Sequence, residues 1–206
     1  MRPKISRSVI PRLSVYCRAL VAYKDSGVIS SDKLSELTGR TAAQIRRDIA
    51  YFGQFGTPGK GYVVEELKKR ILEILGINRI WDVALVGAGN LGAALLSYKG
   101  FKEQGFNIAA AFDNDRNKIG KKLRNVPIRH IKELSRVVKN KKIQMAIIAV
   151  PAEEAQKVID TLLKNGVRAI LNFAPIRPAG GASTEIINID LSIELEKLAH
   201  FLNRPK

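Results

Sequence analysis

The sequence predicts an α/β protein with two units, a small helical unit followed by a doubly wound parallel sheet. Apolar runs alternate with helical patterns from Trp81 to Ile189, which is typical of a parallel sheet with helices on its faces. Before Trp81 the apolar spacing is mostly helical, and after Ile189 one more amphipathic segment remains. At 206 residues the chain is long enough for one or two domains with proper cores.

The composition indicates a folded protein with a polyanionic partner. The formal net charge is +16 and the isoelectric point is near 10.1, which favours nucleic acid first and an anionic membrane second. Residues 1–78 hold 14 basic and 7 acidic side chains and the remainder 21 and 12, so the excess is not confined to one unit. The single cysteine excludes an intrachain disulfide, and no signal peptide or spanning segment is predicted. We therefore expect a soluble, cytoplasmic protein.

The N-terminal stretch predicts a basic arm and one helix. Residues 1–10 are basic and show little periodicity. Pro11 suits a helix start, and helical spacing continues to Ser26 before a glycine. The apolar face of this helix includes Cys17, which we interpret as a buried small hydrophobe rather than a redox thiol.

Two short helices joined by a glycine turn are predicted next, after a short strand at 28–29. The first covers residues 32–37, and the second runs to about residue 52. Thr41 and Gln44 match a capping box at the start of the second helix. This arrangement is a helix-turn-helix, whose second helix can meet bases and phosphates in the major groove of DNA.

A glycine-rich stretch with a basic tip, residues 53–64, follows the second of these helices. A β-hairpin in this position is a wing that lies along the DNA backbone or in the minor groove. The alternatives are an ordinary surface loop for the stretch and a solvated helix surface for the Arg46-Arg47 pair. A fourth helix, 65–75, completes a winged-helix DNA-binding domain at residues 1–78. The predicted DNA contacts are Arg7, Thr41, Gln44, Arg46, Arg47, Tyr51, Thr57 and Lys60.

The segment Gly87-Ala88-Gly89-Asn90-Leu91-Gly92 lies between an apolar run and a predicted helix, Ala93 to Lys99. A second apolar run ends at Asp113. This spacing is the dinucleotide-binding fingerprint. Gly87 permits the tight turn, Gly89 lets backbone N–H groups approach a pyrophosphate, and Gly92 lets the helix pack close to the strand. A carboxylate at Asp113 accepts hydrogen bonds from ribose hydroxyls. The alternatives are a glycine turn that only shapes the fold, or a site for another adenine nucleotide such as coenzyme A.

The chain beyond Asp113 continues the α/β alternation of a Rossmann-type domain, predicted at residues 79–189. Strands are predicted at 126–128, 145–150, 169–173 and 186–189, with helices at 131–138 and 152–165. Ligands of such sheets bind at the carboxyl ends of the strands. This rule brings Val150, Pro151, Phe173 and Ala174 towards the nicotinamide end of a bound dinucleotide. The alternative for these loops is simple strand-to-helix turn chemistry.

A tail helix, residues 190–203, has no obvious place in the finished sheet. Its apolar residues are Leu191, Leu195, Leu198, Phe201 and Leu202. Such a helix docks on a partner subunit or packs on its own sheet.

The sequence lacks the acid-base group that a dehydrogenase needs beside the nicotinamide. The two histidines, His130 and His200, have no evident carboxylate partner and are interpreted as surface or packing residues. No metal-ligand cluster or nucleophile elbow is present in the sequence. We therefore expect no catalytic residues and no metal, and a protein that binds its cofactor without turning it over. An NAD-dependent oxidoreductase and a CoA-binding regulatory module are the alternatives.

Several segments resemble the bacterial redox-sensing transcriptional repressor family Rex. They are Ile45 to Gly53, the wing residues Phe55 to Tyr62, Val86 to Gly92, Tyr98 to Phe101, and Leu171 to Pro175. The resemblance spans nearly the whole chain. It implies a homodimer that binds a pseudo-palindromic operator in double-stranded DNA, with NADH releasing it and NAD+ permitting binding.

The resemblance also implies roles for the tail and for several polar residues. The C-terminal helix, within 190–206, would be exchanged between subunits as the dimerisation element. Arg18, Tyr98 and Asp190 would link the nicotinamide pocket to the dimer. Some relatives have an aromatic residue after this aspartate, facing the nicotinamide, where this chain has Leu191. The resemblance thus implies a cofactor site formed by Gly87, Ala88, Gly89, Asn90, Leu91, Gly92, Tyr98, Asp113, Val150, Pro151, Phe173 and Ala174.

Overall fold

A computed structural model describes residues 6, 8–25, 27–53, 56 and 60–203. The chain separates into two compact units, Met1–Arg79 and Ile80–Lys206. Each unit has its own hydrophobic core.

The first unit is four helices with a two-stranded sheet. Its elements are α1 (Val9–Ala22), β1 (Val28–Ile29), α2 (Ser31–Thr38), α3 (Ala42–Ala50), β2 (Tyr62–Val63) and α4 (Val64–Leu75). The core is formed by apolar side chains from all four helices and both strands, among them Leu13, Ile29, Leu34, Ile45 and Ile71. The helical spacing in the sequence therefore gave the correct element types in this unit.

Side-chain caps and left-handed glycines set the bounds of α2 and α3. Ser30 Oγ accepts from the Lys33 N–H at 3.0 Å, and Thr41 Oγ1 accepts from the Gln44 N–H at 3.2 Å. Gly39 ends α2 with φ +64°, a left-handed conformation in which glycine carries no Cβ penalty. Gly39 and Thr41 thus form the tight turn between α2 and α3, and Ser30 starts α2.

Some predicted bounds in the first unit were wrong. Helix α1 begins at Val9, before Pro11, and ends at Ala22 rather than Ser26. Proline is tolerated there because first-turn N–H groups have no intrahelical acceptor. Helix α3 ends at Ala50 rather than near residue 52.

Among the described residues, strand β2 pairs with a strand that lies outside the predicted hairpin. It pairs antiparallel with β1, with Ile29 opposite Tyr62. Gly56 and Gly61 approach so closely that a Cβ on Gly56 would collide with the Gly61 carbonyl oxygen. Gly56 and Gly61 therefore lie close together, and strand β2 completes a sheet whose other strand precedes the helix-turn-helix.

The second unit is a seven-stranded sheet in the order β5-β6-β4-β3-β7-β8-β9. The strands are β3 (Trp81–Val86), β4 (Phe106–Asp113), β5 (Lys122–Leu123), β6 (Val126–His130), β7 (Met145–Ile148), β8 (Ala169–Asn172) and β9 (Glu185–Asn188). All neighbours pair in parallel except the edge strand β5. Strand order reverses between β3 and β7, so the topological switch point of a doubly wound sheet lies beside the glycine turn.

Helices flank the sheet and define two buried layers. They are α5 (Asn90–Ser97), α6 (Lys99–Glu103), α7 (Leu134–Asn140) after a 3-10 turn at Ile131–Glu133, α8 (Ala152–Lys164) and α9 (Leu191–Leu202). One layer packs α7 and α8 against Val86 and Phe112, and the other packs α5 and α6 against Val83 and Leu85. Successive side chains of β3 point to opposite faces of the sheet and thus contribute to both layers.

The predicted elements of the second unit are present with three corrections. The antiparallel strand β5 was missed, because two residues carry no periodicity. The helix after the glycine turn begins at Asn90 rather than Ala93, and it ends at Ser97 before a separate α6. The helix predicted at 131–138 is a 3-10 turn followed by α7.

Helix α9 ends the described chain and buries none of its residues. Its apolar residues include Leu195, Leu198 and Phe201, which are all more than half exposed. Packing of this helix into its own sheet, one of the two alternatives for the tail, is therefore not observed in the described chain.

Candidate functional site

The glycine turn after β3 is shaped by close backbone approaches at its two outer glycines. Gly87 has φ +94°, and a Cβ there would collide with the Ala149 carbonyl oxygen. A Cβ on Gly92 would collide with the carbonyl oxygen of Gly87. These two positions need glycine to let the turn, β7 and α5 pack together.

The middle glycine has a different environment. Gly89 has φ −72°, which other residues adopt readily, and an added Cβ would meet no described atom within 4 Å. The fold itself therefore does not require a glycine at this position. A ligand that approaches the backbone closely does, because a side chain here would occupy the ligand's space.

Helix α5 begins at this open position. Gly89 is its N-cap, and no side chain caps the first turn. First-turn N–H groups have no intrahelical acceptor and carry the positive end of the helix dipole. The segment Gly89 to Leu91 can therefore bind a phosphate through backbone donors.

Asp113 ends β4 beside the turn and is 8% exposed. Its Oδ2 accepts from the Ala88 N–H at 2.7 Å, and its Oδ1 accepts from the Asp115 N–H at 2.8 Å. Lys118 Nζ lies 3.4 Å from Oδ2. Burial alone would raise the pKa of Asp113, but these two backbone hydrogen bonds and the Lys118 ammonium lower it below its ordinary value. The carboxylate is thus ionised at neutral pH and holds the turn as well as facing the cavity.

A cavity of about 490 Å³ opens at the carboxyl ends of β3, β4 and β7. Seven of the predicted cofactor residues line it: Gly87, Gly89, Asn90, Leu91, Asp113, Val150 and Pro151. Ala88 and Gly92 belong to the same turn, and Ala88 contacts Asp113 through its N–H. The predicted strand-end loop and the glycine turn therefore form one site.

The cavity also contains residues that the sequence prediction missed. These are Asn114, Asp115, Lys118, Ile131, Ala149, Glu154 and Val158. Most follow the carboxyl ends of β4, β6 and β7, so applying the strand-end rule to every strand would have found them. Glu154 and Val158 lie in α8 and carry no comparable local signal.

Three other predicted cofactor residues lie outside this cavity's lining. Tyr98 is 61% exposed and meets the Phe101 ring edge-on, with centroids 5.1 Å apart. Phe173 and Ala174 follow β8, where the buried Asn172 side chain bonds both the N–H and the carbonyl of Ala174. Turn chemistry is therefore sufficient to explain the local structure after β8.

The exposed face of α3 carries part of the predicted DNA contacts. Arg46, Arg47 and Tyr51 are exposed, and Gln44 is partly exposed. Arg46 Nη1 donates to Ser31 Oγ at 2.6 Å, and Gln44 Nε2 donates to Asp48 Oδ1 at 2.7 Å. Two of the predicted base-reading side chains thus also bind within their own unit.

Of the four remaining predicted DNA contacts, two are exposed and two lie outside the described residues. Thr41 is exposed but uses its hydroxyl to cap α3, and Lys60 is exposed before β2. Arg7 and Thr57 lie outside the described residues.

The predicted switch residues lie in both units. Arg18 is exposed on α1. Asp190 is the N-cap of α9 and accepts from the N–H and hydroxyl of Ser192, and these hydrogen bonds lower the pKa of its carboxyl. Leu191, at the first position of α9, is exposed.

The histidines and acidic groups offer no further chemistry within the described chain. His130 Nδ1 accepts from the Lys132 N–H at 3.0 Å, and His200 is exposed on α9. No cluster of three or more metal-ligating side chains occurs among the described residues. Within the same residues, no helix combines the length and apolar character that spanning a bilayer requires.

Comparison with known proteins decides the family. One family model, described as "Putative DNA-binding protein N-terminus", matches residues 4–50, and another, described as "CoA binding domain", matches 78–176. The redox-sensing transcriptional repressor Rex of Desulforamulus reducens is 45% identical over 197 residues, which cover 95% of this chain and 94% of that protein. The chain belongs to the Rex family.

Solved structures of the Rex family agree with the fold over nearly the whole chain. A crystal structure of RSP with β-NAD+ and operator DNA is 37% identical, with a TM-score of 0.91, and covers 97% of this chain and 93% of its own. A structure of RSP, a Rex-family repressor, with β-NADH is 36% identical, with a TM-score of 0.84, and covers 97% and 95%. The predicted DNA-binding unit followed by a Rossmann-type sheet is confirmed by these matches.

Membership of the Rex family also decides between the functional classes. The Rex relatives are named transcriptional repressors, so the prediction of a regulator rather than an oxidoreductase is confirmed. The chain is therefore a transcriptional repressor of this family.

Proposed function

We propose that this Rex-family repressor binds operator DNA and that NADH, bound in the second unit, releases it. The observation that carries the proposal is Gly89, which faces open space beside the uncapped start of α5 and the Asp113 carboxylate. The related protein RSP has been crystallised with β-NAD+ and operator DNA and with β-NADH. The environment of Gly89 and the two RSP structures support a repressor that binds a dinucleotide and whose DNA binding responds to it.

We assign both redox forms of the cofactor, NAD+ and NADH, to this cavity. Backbone donors of Gly89 to Leu91 would hold the pyrophosphate, and Asp113 would accept from the adenosine ribose hydroxyls. Asp113 already accepts from Ala88, so the ribose would share a carboxylate that also holds the turn. The nicotinamide supplies the signal, because its charge and planarity change on reduction.

DNA binding is assigned to the first unit. We place α3 in the major groove with Arg46 and Arg47 towards DNA, and Lys60 with the wing on phosphates. Their exposure and charge support this placement, and phosphate contacts of this kind make affinity depend on salt. We expect the operator to be a pseudo-palindrome in double-stranded DNA. The protein would act on it in the cytoplasm of a bacterial cell.

The tail helix is assigned to a homodimer. The apolar side chains of α9 are exposed in one chain, and a partner subunit that exchanges this helix would cover them. Residues 190–206 would then form a dimerisation segment separate from the DNA-binding part, 1–78, and the NAD(H)-binding part, 79–189. Arg18, Tyr98, Asp190 and Leu191 are the residues we assign to the link between nicotinamide and dimer.

The test is operator binding by fluorescence anisotropy at several NADH/NAD+ ratios and two salt concentrations. A ligand shifts the dimer only by its differential affinity for the two states. We expect NADH to weaken binding at least tenfold relative to NAD+ and high salt to weaken both. Binding that excess NADH leaves unchanged would contradict the proposal.

Coenzyme A is the second candidate ligand, because the family model described as "CoA binding domain" matches residues 78–176. Competition separates the two ligands. NADH should resist displacement by equimolar CoA if the cavity is a dinucleotide site. Displacement of NADH by CoA, with release from DNA by CoA alone, would favour the second candidate.

A further inference from the structure

A buried carboxylate lies in the middle of α3, between the arginines and the end of the helix. Asp48 is 3% exposed. Arg12 Nε donates to its Oδ2 at 2.6 Å, and Arg12 Nη2 donates to its Oδ1 at 2.8 Å. The Tyr16 hydroxyl donates to Oδ2 at 2.8 Å, and Gln44 Nε2 donates to Oδ1 at 2.7 Å. We call these four residues the Asp48 cluster.

The Asp48 cluster joins two helices through directional bonds. Arg12 and Tyr16 lie one turn apart on α1, and Gln44 and Asp48 lie one turn apart on α3. The two hydrogen bonds from Arg12 fix the plane of the Asp48 carboxylate. The hydrogen bond from the Tyr16 hydroxyl fixes how far the carboxylate lies from α1. Apolar contacts between the helices, in contrast, have no preferred direction.

The electrostatics agree with a permanently ionised centre. Burial alone would raise the pKa of Asp48, but hydrogen bonds from Arg12, Tyr16 and Gln44 lower it below its ordinary value. Burial and the hydrogen bond to Asp48 raise the pKa of Tyr16 to about 12. The carboxylate is therefore charged and the phenol neutral throughout the physiological range.

Tyr16 and Asp48 are unsuited to contact DNA themselves. Tyr16 is fully buried and Asp48 nearly so, and the charge of Asp48 would repel phosphates. Arg46 and Arg47, however, immediately precede Asp48 in α3 and are exposed. A rotation or slide of α3 against α1 would move both guanidinium groups away from the base edges they meet.

We infer that Asp48 is a positioning residue for operator discrimination, holding α3 in register against α1 through Arg12 and Tyr16. This inference rests on the proposal that α3 reads DNA. The cluster sets the angle and position of the recognition helix α3 relative to α1. The exposed arginines of α3 are thereby held in fixed positions for contact with the bases. Non-specific phosphate binding tolerates a shifted helix, but base-edge contacts do not.

Charge and geometry predict opposite results for the same substitution. Asp48→Asn removes a negative charge from a DNA-binding unit, so electrostatics alone predicts tighter binding to any duplex. Loss of register predicts weaker binding to the operator and unchanged or slightly tighter binding to other duplexes. The ratio of the two affinities therefore distinguishes positioning from charge.

The experiment compares Asp48→Asn and Tyr16→Phe with wild type on two duplexes. One duplex is the operator selected from a random library by the wild-type protein with NAD+, and the other is a scrambled sequence of equal length. Glu65→Gln is the control, because it removes one exposed negative charge of the same unit, which forms an ion pair with Lys68 on α4. Folding is followed by thermal melts, and NADH binding by the fluorescence of Trp81.

We expect Asp48→Asn to lower the operator-to-scrambled affinity ratio at least tenfold and Tyr16→Phe to lower it about threefold, with NADH binding unchanged. Glu65→Gln should keep the wild-type ratio. Tyr16→Phe decides alone if Asp48→Asn fails to fold, since a buried hydroxyl reaches DNA only through the helix it holds. Unchanged ratios, or equal losses on both duplexes, would overturn the inference. Failure of the wild type to select an operator would instead overturn the proposed function.

Discussion

The Gly87–Gly92 turn and the Asp48 cluster differ in how far each satisfies its own polar groups. The carboxylate of Asp48 receives four hydrogen bonds from its own unit. The turn has an uncapped helix start, and its middle glycine faces open space. The cluster is complete without a ligand, and the turn is completed by one. A substitution in the cluster should therefore change geometry, and a substitution at the open side of the turn should change affinity.

Alanine substitutions at Gly92 and Gly89 give the largest expected contrast in stability. Gly92→Ala places a Cβ against the Gly87 carbonyl, so we expect the second unit to lose about 3 kcal/mol or more of stability. Gly89→Ala meets no described atom, so its melting temperature should stay within a degree or two of wild type. Urea denaturation followed by Trp81 fluorescence measures both. Equal destabilisation by the two variants would contradict the assignment of Gly89 to ligand approach.

Asp113 tests whether one carboxylate serves both the turn and the ribose. Asp113→Ala should weaken NADH binding roughly 10- to 100-fold, because hydrogen bonds to a charged group contribute about 1.5–3 kcal/mol. The same change removes the acceptor of the Ala88 N–H and should lower stability. NADH titration and a thermal melt measure the two effects.

Asp113→Asn is the matched control, since its amide oxygen can still accept from Ala88. It should restore part of the stability, because its one amide oxygen replaces only one of the two carboxylate acceptors, and less of the affinity. An alanine variant that binds NADH as tightly as wild type would remove Asp113 from the ribose site.

The Asp48 cluster predicts a particular pH dependence. The pKa of Tyr16 is raised from 10.0 to about 12, so folding favours the neutral phenol. The stabilisation is fully present below pH 10 and is lost as the pH rises through about 12. Tyr16→Phe should flatten the alkaline fall in unfolding free energy between pH 10 and 12. An alkaline limb that is identical in wild type and variant would contradict the buried phenol-carboxylate bond.

Gly100 gives the smallest expected effect. It lies inside α6, where alanine is normally favoured by about 0.5–1 kcal/mol. A Cβ here would lie 2.6 Å from the Tyr98 ring, so the ring must move. Gly100→Ala should gain little stability and should change the NADH concentration that releases DNA two- to fivefold. A full gain in stability with unchanged release would show that Tyr98 is free to adapt and is not part of the switch.

The sequence was most informative where a function depends on local spacing. The glycine turn and the Thr41 cap were predicted because each acts on residues close to it along the chain. Asp113 was predicted because the dinucleotide-binding fingerprint places an acidic residue at a fixed spacing after the glycines. The parallel, doubly wound sheet followed from the α/β alternation, but its strand order did not. By contrast, β5 has two residues and no periodicity, so only its pairing with β6 reveals it.

Long-range contacts explain what was not predicted. In the sequence, Asp48 directly follows Arg46 and Arg47 in a polar helix and resembles a surface residue. Its partners Arg12 and Tyr16 are 36 and 32 positions away, so nothing local indicates a buried cluster. Glu154 and Val158 reach the cavity from α8 for the same kind of reason. The capping box was half right, since Thr41 caps α3 while the Gln44 amide nitrogen donates to Asp48.

The most direct test is an NADH titration of operator-bound Gly89→Ala by fluorescence anisotropy, with wild type and Arg46→Ala/Arg47→Ala alongside. We expect Gly89→Ala to bind the operator like wild type and to stay bound at NADH concentrations that release wild type. The double arginine variant should lose the operator but still bind NADH. Normal release of Gly89→Ala by NADH, or loss of both activities in either folded variant, would contradict a nucleotide site in the second unit that controls a separate DNA-reading helix.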